Sequence, residues 1–194
     1  MKLTKKQRTQ LEIINAAKNI IHDKGHTAVT VRHLAEITGY AYTNLYYYFK
    51  DLKGLLWALR LNMIEDMIVE LSGKPQPMAD PVEEILNAFN SYCDYFFEHP
   101  NVFRFFYFHP FVKPEDDHSY DDLEIRFQGL WQSSFFRLVS EGVLQPTEVE
   151  MVAKTIIYAL QGMIMLSFSS NGTMNNSEIK VELSNLVHYL MNKY

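Results

Sequence analysis

Cysteine is almost missing from this chain of 194 residues, with Cys93 standing alone. One thiol excludes an internal disulfide framework and any cysteine-rich zinc module. The eight glycines form no phosphate-cradling loop, and neither G-x-S-x-G nor H-E-x-x-H occurs. Clean period-two alternation is absent, and Asn-Gly occurs once, at Asn171–Gly172, so hairpin signals are lacking. The longest nearly apolar run, Ile156 to Phe168, contains Gln161 and is shorter than the ~20 residues a bilayer requires. The opening MKLTKKQRTQ is charged and has no apolar signal core. These absences predict a cytoplasmic protein without membrane association, with no metal site and no cofactor.

What is present is a globular composition, 47% hydrophobic and 21% charged, which is enough for a real core and argues against disorder. The net charge of −5 is unevenly spread. Residues 1–50 carry eight basic and three acidic side chains, a net of +5, whereas residues 51–194 carry ten and twenty, a net of −10. A polyanion would therefore meet the N-terminal part only.

Apolar periodicity is helical almost throughout. Leu11, Ile14, Ala17 and Ile21 recur at helical spacing, and Gly25 is a stop. Thr30 can cap VRHLAEIT, with Leu34 and Ile37 as its apolar face, and Gly39 ends that helix. Ala41 to Phe49 forms another short helix and Leu52 to Leu71 a long one. Gly73, Pro75 and Pro77 supply turn chemistry, and Asp80-Pro81 starts the next helix, to about Glu98. His99-Pro100 stops it, and helices over Asn101–Tyr107, Tyr120–Ser140, Thr147–Ser169 and Ser177–Asn192 complete an all-α chain of about nine helices.

Two short helices joined through a glycine are the elements of a helix-turn-helix, whose second helix enters the major groove. Helical spacing puts Leu45 and Phe49 on a buried face and Thr43, Asn44 and Tyr47 opposite, flanked by Tyr42, Tyr46 and Tyr48. Tyrosine hydroxyls reach phosphates, and asparagine bonds bidentately to adenine.

The run Thr30, Val31, Leu34, Ala35, Gly39, Leu45, Tyr46, Tyr48, Phe49, Lys50, Asp51, Leu55 and Leu56 resembles the TetR-type family of bacterial transcriptional regulators. A weaker echo lies in EGVLQPTEVEMVAKTIIYALQGM. Ala41, Thr43 and Leu52 depart from the family pattern, which favours Ser, a small Gly or Pro, and Lys at these places. The resemblance implies a DNA-binding domain over 1–50, a three-helix head, and an effector-binding and dimerisation domain over 51–194. It implies a repressor, not an enzyme, that a small hydrophobic effector releases from a palindromic double-stranded DNA operator. Tyr42, Thr43 and Asn44 would face bases; Thr30, Tyr46, Tyr47 and Lys50 would hold phosphates. The helices over 147–169 and 177–192 would pair with their copies in a homodimer. Ala153, Ala159 and Gly162 would allow close approach, and Ile157, Leu160, Leu186 and Leu190 would supply apolar area.

The segment from Tyr92 to Phe111 holds ten Phe/Tyr residues in twenty. Rings and thioethers suit an oily or flat ligand. Three i, i+4 pairs, Met63/Met67, Tyr92/Phe96 and Phe127/Trp131, would enclose a cavity. Phe103, Phe106 and Tyr107 would cover it, with Tyr92, Tyr107 and Gln161 as polar handles. The same rings could instead fill one another's space as a solid core. An all-α carrier of apolar ligands, or an enzyme without a DNA role, is the alternative reading. His22 and His26 are expected at a solvated helix end. Glu115, Asp116, Asp117, His118, Asp121 and Asp122 are expected as a solvated acidic loop, and Cys93 as a buried thiol.

Overall fold

The computed structural model describes residues 3–73, 78–114, 117–169, 172 and 174–191. The expected turn at Pro75 and Pro77, the acids Glu115 and Asp116, and the end at Asn192 lie outside the described residues. Among the described residues the protein is all-α. Nine helices are α1 (Lys5–Lys24), α2 (Val31–Thr38), α3 (Tyr42–Phe49), α4 (Leu52–Ser72), α5 (Pro81–Glu98), α6 (Pro100–Phe108), α7 (Ser119–Ser140), α8 (Val149–Ser167) and α9 (Asn176–Met191). A 3₁₀ turn, His26–Ala28, follows α1 and has no counterpart in the sequence reading.

Contacts divide the chain into two compact units, Met1–Asp66 with His99–Leu123, and Met67–Glu98 with Glu124–Tyr194. In the first unit α1 packs on α2, α6 and the 3₁₀ turn, and α2 packs on α3. A reciprocal Thr4–Gln7 capping box starts α1, and Gly25 ends it. The buried face of α1 is Thr9, Ile13, Ala17, Ile20 and Ile21. Leu11 is exposed and Ile14 only half-buried, which corrects the expected face by about one position. Both line an open groove of about 840 Å³ together with Tyr48, Phe49, Trp57 and Ala58. Their periodicity is real, but it follows this groove rather than the core.

In the second unit α9 packs on α5 and α8, and α5 also meets α8. Buried Glu84 accepts hydrogen bonds from Ser134 Oγ at 2.9 Å, from the Met78 N–H at 3.2 Å and from the Arg137 guanidinium. This network ties the start of α5 to α7. Cys93 Sγ donates to Asn176 Oδ1 at 3.3 Å, and Asn176 Nδ2 donates to Asp94 Oδ1 at 2.8 Å. Burial, then the nearby Asp94 charge, pushes the Cys93 thiol up to about 12, so it is a packing group rather than a nucleophile.

By length and composition alone, α8 is long and apolar enough to cross a membrane. The expectation of a run too short for this counted only Ile156 to Phe168, whereas the helix begins at Val149. One face, Ile156, Leu160 and Ile164, is buried in the second unit. Leu160 is fully buried there, so it is core and not the interface residue expected from its spacing. Met151, Tyr158, Met165 and Leu166 are exposed on α8, and Val181 and Tyr189 on α9.

Candidate nucleic-acid interface and aromatic clusters

The reading element is built from local rules. Thr30 Oγ1 accepts the His33 N–H at 3.1 Å and starts α2. Gly39 ends it in the left-handed region at φ 72°, where a side chain is disfavoured. Ile37, expected beside Leu34 on the apolar face, is instead exposed. An eight-residue helix buries only a narrow stripe, and Leu34 occupies it. In α3, Leu45 and Phe49 are buried, which fixes the helix on the unit by its inner face. Tyr42, Thr43, Asn44, Tyr46, Tyr47 and Lys50 are all exposed, as is Thr30. Ala41 contributes no side-chain cap, so the first turn of α3 keeps its amide donors free of a local side-chain acceptor.

Two neighbours add to this face. Lys6 Nζ lies 5.4 Å from the centre of the Tyr47 ring, a cation–π contact that brings the basic start of α1 to α3. The run Lys5, Lys6 and Arg8 signalled this only as charge. Gln10 Nε2 donates to the Tyr48 carbonyl at 3.4 Å, and the Tyr40 hydroxyl bonds the Glu12 carboxylate; both tie α1 to the turn and helix that follow α2.

Between α3 and α4 the backbone is strained. Lys50 has φ 66° and ψ −50°, and the Asp51 N–H donates to the Phe49 carbonyl at 2.7 Å, a γ-turn of the rare kind. Asp51 Oδ1 accepts the Gly54 N–H at 2.7 Å and opens α4. A Cβ on Gly54 would stand 2.3 Å from the Phe49 carbonyl oxygen, so only glycine admits this tight return. Strain of this kind typically costs ~1–3 kcal/mol and gathers at functional positions. Lys50→Gly is therefore expected to stabilise the fold by about 1 kcal/mol while weakening binding to every DNA sequence alike. Urea unfolding beside a salt-controlled DNA titration checks this, and a destabilised Lys50→Gly would show that the turn is not strained.

The aromatic residues fall into two groups. In the second unit Trp131 stacks on Phe89 at 5.0 Å between ring centres and meets Phe127 edge-on at 4.7 Å. Tyr92 meets Phe96 at 4.8 Å and Phe127 at 5.7 Å. Gln161 Nε2 donates to the Tyr92 hydroxyl at 3.3 Å, so two of the expected polar handles are engaged with each other. Met67 is buried in this unit too. Met63, Phe103, Phe106 and Tyr107 belong to the first unit, where Phe103 and Tyr107 lie 4.5 Å apart on α6.

His22 is exposed in the last turn of α1, as expected, and His26 is half-buried in the turn after it. His22 and His99 rings meet edge-on at 5.0 Å, and His26 and His109 at 5.1 Å. Burial and then the His99 neighbour hold His22 below its ordinary value, and burial does the same for His26. In the acidic loop, Asp117 accepts the Ser119 N–H at 2.8 Å and the Trp57 indole N–H at 2.6 Å. These bonds hold its carboxyl below the ordinary range against a smaller opposing effect of burial. This acid is a structural partner rather than a solvated one.

A capped helix, a glycine turn and a second helix anchored by its inner face are the elements of a helix-turn-helix, a motif used for DNA binding. Residues 13–59 match the family model described as bacterial regulatory proteins, tetR family. That match covers about a quarter of the chain and includes α2, the glycine turn and α3. No sequence among curated proteins matches it. Solved structures share its fold. The regulator FadR from Bacillus subtilis, in complex with stearoyl-CoA, is 13% identical with a TM-score of 0.71, covering 95% of this chain and 98% of that one. RolR in complex with resorcinol is 14% identical at TM-score 0.69, covering 98% and 96%. PfmR from Thermus thermophilus is 22% identical at TM-score 0.64, covering 90% and 96%.

Proposed function

We propose that this chain is a TetR-family transcriptional regulator, a homodimeric repressor released from a palindromic operator by a small hydrophobic effector. The observation that carries the DNA part is the outer face of α3: six exposed side chains that donate or accept hydrogen bonds or carry charge, opposite buried Leu45 and Phe49. In this reading residues 1–50 are the DNA-binding domain and 51–194 the effector-binding and dimerisation domain. Tyr42, Thr43 and Asn44 read base edges. Thr30, Tyr46, Tyr47 and Lys50 hold phosphates, and Lys6 adds charge beside Tyr47. A soluble place beside the chromosome, the cytoplasm, follows from that task.

The exposed apolar residues of α8 and α9 support a second copy as their cover. Gly162 has open space where a Cβ would stand, which suits close helix approach. Two copies present two recognition helices to two half-sites about one or more DNA turns apart. An effector that favours a state with mismatched head spacing releases the DNA, and this needs only differential affinity for two states. Resorcinol and stearoyl-CoA in two proteins of this fold support a ring- or chain-bearing effector here. The half-buried Phe127 and Gln161, beside Tyr92, Phe96, Trp131 and Met67, are its proposed contacts in the second unit.

The test starts from DNA fragments selected by the purified protein. They should contain an inverted repeat, and sedimentation should give a dimer at micromolar concentration. Asn44→Ala should cost about 1–3 kcal/mol at the selected site and alter base preference. Tyr46→Phe should weaken all sequences by a similar factor. A monomer, or full affinity retained by both variants, contradicts the reading.

A further inference from the structure

Arg60, on α4 in the first unit, is half-buried and lies beside three rings. Its guanidinium lies 4.4 Å from the centre of Phe111, 5.2 Å from Tyr120 and 6.0 Å from Trp57. These rings also contact one another, with Trp57 5.9 Å from Tyr120 and 6.3 Å from Phe111. The Trp57 indole N–H is already taken by Asp117, which fixes the Trp57 side of this cluster. Arg60 Nε is buried and has no hydrogen-bond partner, and no carboxylate pairs with the guanidinium among the described residues.

Ring faces attract a cation, but they offer nothing to its in-plane N–H groups. A guanidinium directs five such donors outward from its edges. An orphaned donor in a closed setting costs free energy unless an acceptor arrives. The acceptor that fits two parallel guanidinium N–H groups is a carboxylate, whose two oxygens are coplanar and similarly spaced. The field of Arg60 is also felt locally. His109 is held below its ordinary value by burial, then by His26 and by Arg60.

We infer that Arg60, with Trp57, Phe111 and Tyr120, forms a binding site for a planar aromatic carboxylate. The carboxylate lies on the Nε edge of Arg60, and its ring packs against the indole and phenyl walls. This site uses none of the effector contacts proposed above and does not depend on them. It belongs to the unit that carries the recognition helix, and Arg60 stands two helical turns after the strained turn at Lys50.

Calorimetry with benzoate and its neutral isostere benzamide, on the full-length protein, tests the site. Benzoate should bind saturably, one per chain, and benzamide at least ~10-fold more weakly. Arg60→Gln should lower benzoate affinity by at least ~10-fold, and Arg60→Lys by less, since it keeps the charge but loses the fork. Benzoate should also raise the pKa of His109, read by NMR of its ring protons, because the anion offsets the Arg60 field. Should Arg60→Gln fail to fold, Phe111→Leu with the benzoate–benzamide comparison on the unaltered chain takes its place; it should weaken benzoate and leave operator binding intact. Absence of saturable benzoate binding, equal binding of the two probes, or undiminished affinity in Arg60→Gln overturns the site. Loss of operator binding in Asn44→Ala has no bearing on these outcomes, so the two readings fail separately.

Discussion

Replacing Trp131 by alanine is expected to cost about 3–5 kcal/mol of stability. The indole is 7% exposed and is packed by Phe89 on its face and by Phe127 at its edge, with Tyr92 6.5 Å away. Removing it takes away a large transfer term and leaves a space that rigid rings cannot close. The cluster would then behave as core at this position. A wall of a pre-existing cavity would behave otherwise: the cost would fall to roughly 1–2 kcal/mol, because one side already lacks partner atoms. Urea midpoints decide between them, and the unfolding slope must be unchanged for the comparison to hold. The same variant, if it folds, should bind operator normally without effector and respond differently with it.

The second large effect is expected at Glu84. Glu84→Gln should destabilise the protein by about 2–3 kcal/mol, less than the loss for a fully buried pair because solvent reaches part of Arg137. Burial by itself raises the pKa of this carboxyl, but the Met78 N–H, the Ser134 hydroxyl and Arg137 together outweigh it and hold the pKa below its ordinary value of 4.5. A depressed carboxyl contributes stability that is present above the unfolded value and is lost as pH falls through the folded one. Wild-type stability should thus decline below about pH 4.5, and the decline should be shallower in Glu84→Gln. Equal slopes in the two proteins between about pH 5 and 3 would remove Glu84 as a source of acid sensitivity.

Both effects rest in large part on contacts between distant residues, Trp131 with Phe89 and Glu84 with Ser134 and Arg137, and such contacts have no signature in a linear chain. The exceptions are local. Thr30, Gly39, Leu45 and Phe49 were legible because capping, a left-handed glycine and the 3.6-residue period act within a few residues. The outward face of α3 followed from them, since burying Leu45 and Phe49 leaves Thr43, Asn44 and Tyr47 no other side to occupy. The positions of the helices were legible for the same reason, to within about two residues.

Ring-rich segments were less transparent. Composition marked Tyr92 to Phe111 as unusual, but periodicity is identical for a ring that packs on a ring and a ring that faces a ligand. Only tertiary structure decided that Trp131 stacks on Phe89 and that Gln161 is spent on the Tyr92 hydroxyl. The same holds for errors of face. Leu11 and Ile14 carry the expected helical spacing, yet the unit has its core on Ile13, Ala17 and Ile20, and Ile37 found no partner beside Leu34. Which of two apolar stripes is buried depends on what the rest of the chain brings to it.

By itself, then, the sequence determined what local sterics and backbone hydrogen bonding control: the all-α class, the helix limits, the glycine turn and the outward side chains of α3. Tertiary structure alone decided what depends on distant partners. It put Lys50 in a strained return that Gly54 permits, brought Lys6 to Tyr47, and set three rings beside an arginine whose buried Nε has no acceptor. The physical reason is range: capping and periodicity are settled within a turn or two of helix, whereas desolvation and ring packing are settled by whichever residues the fold brings near.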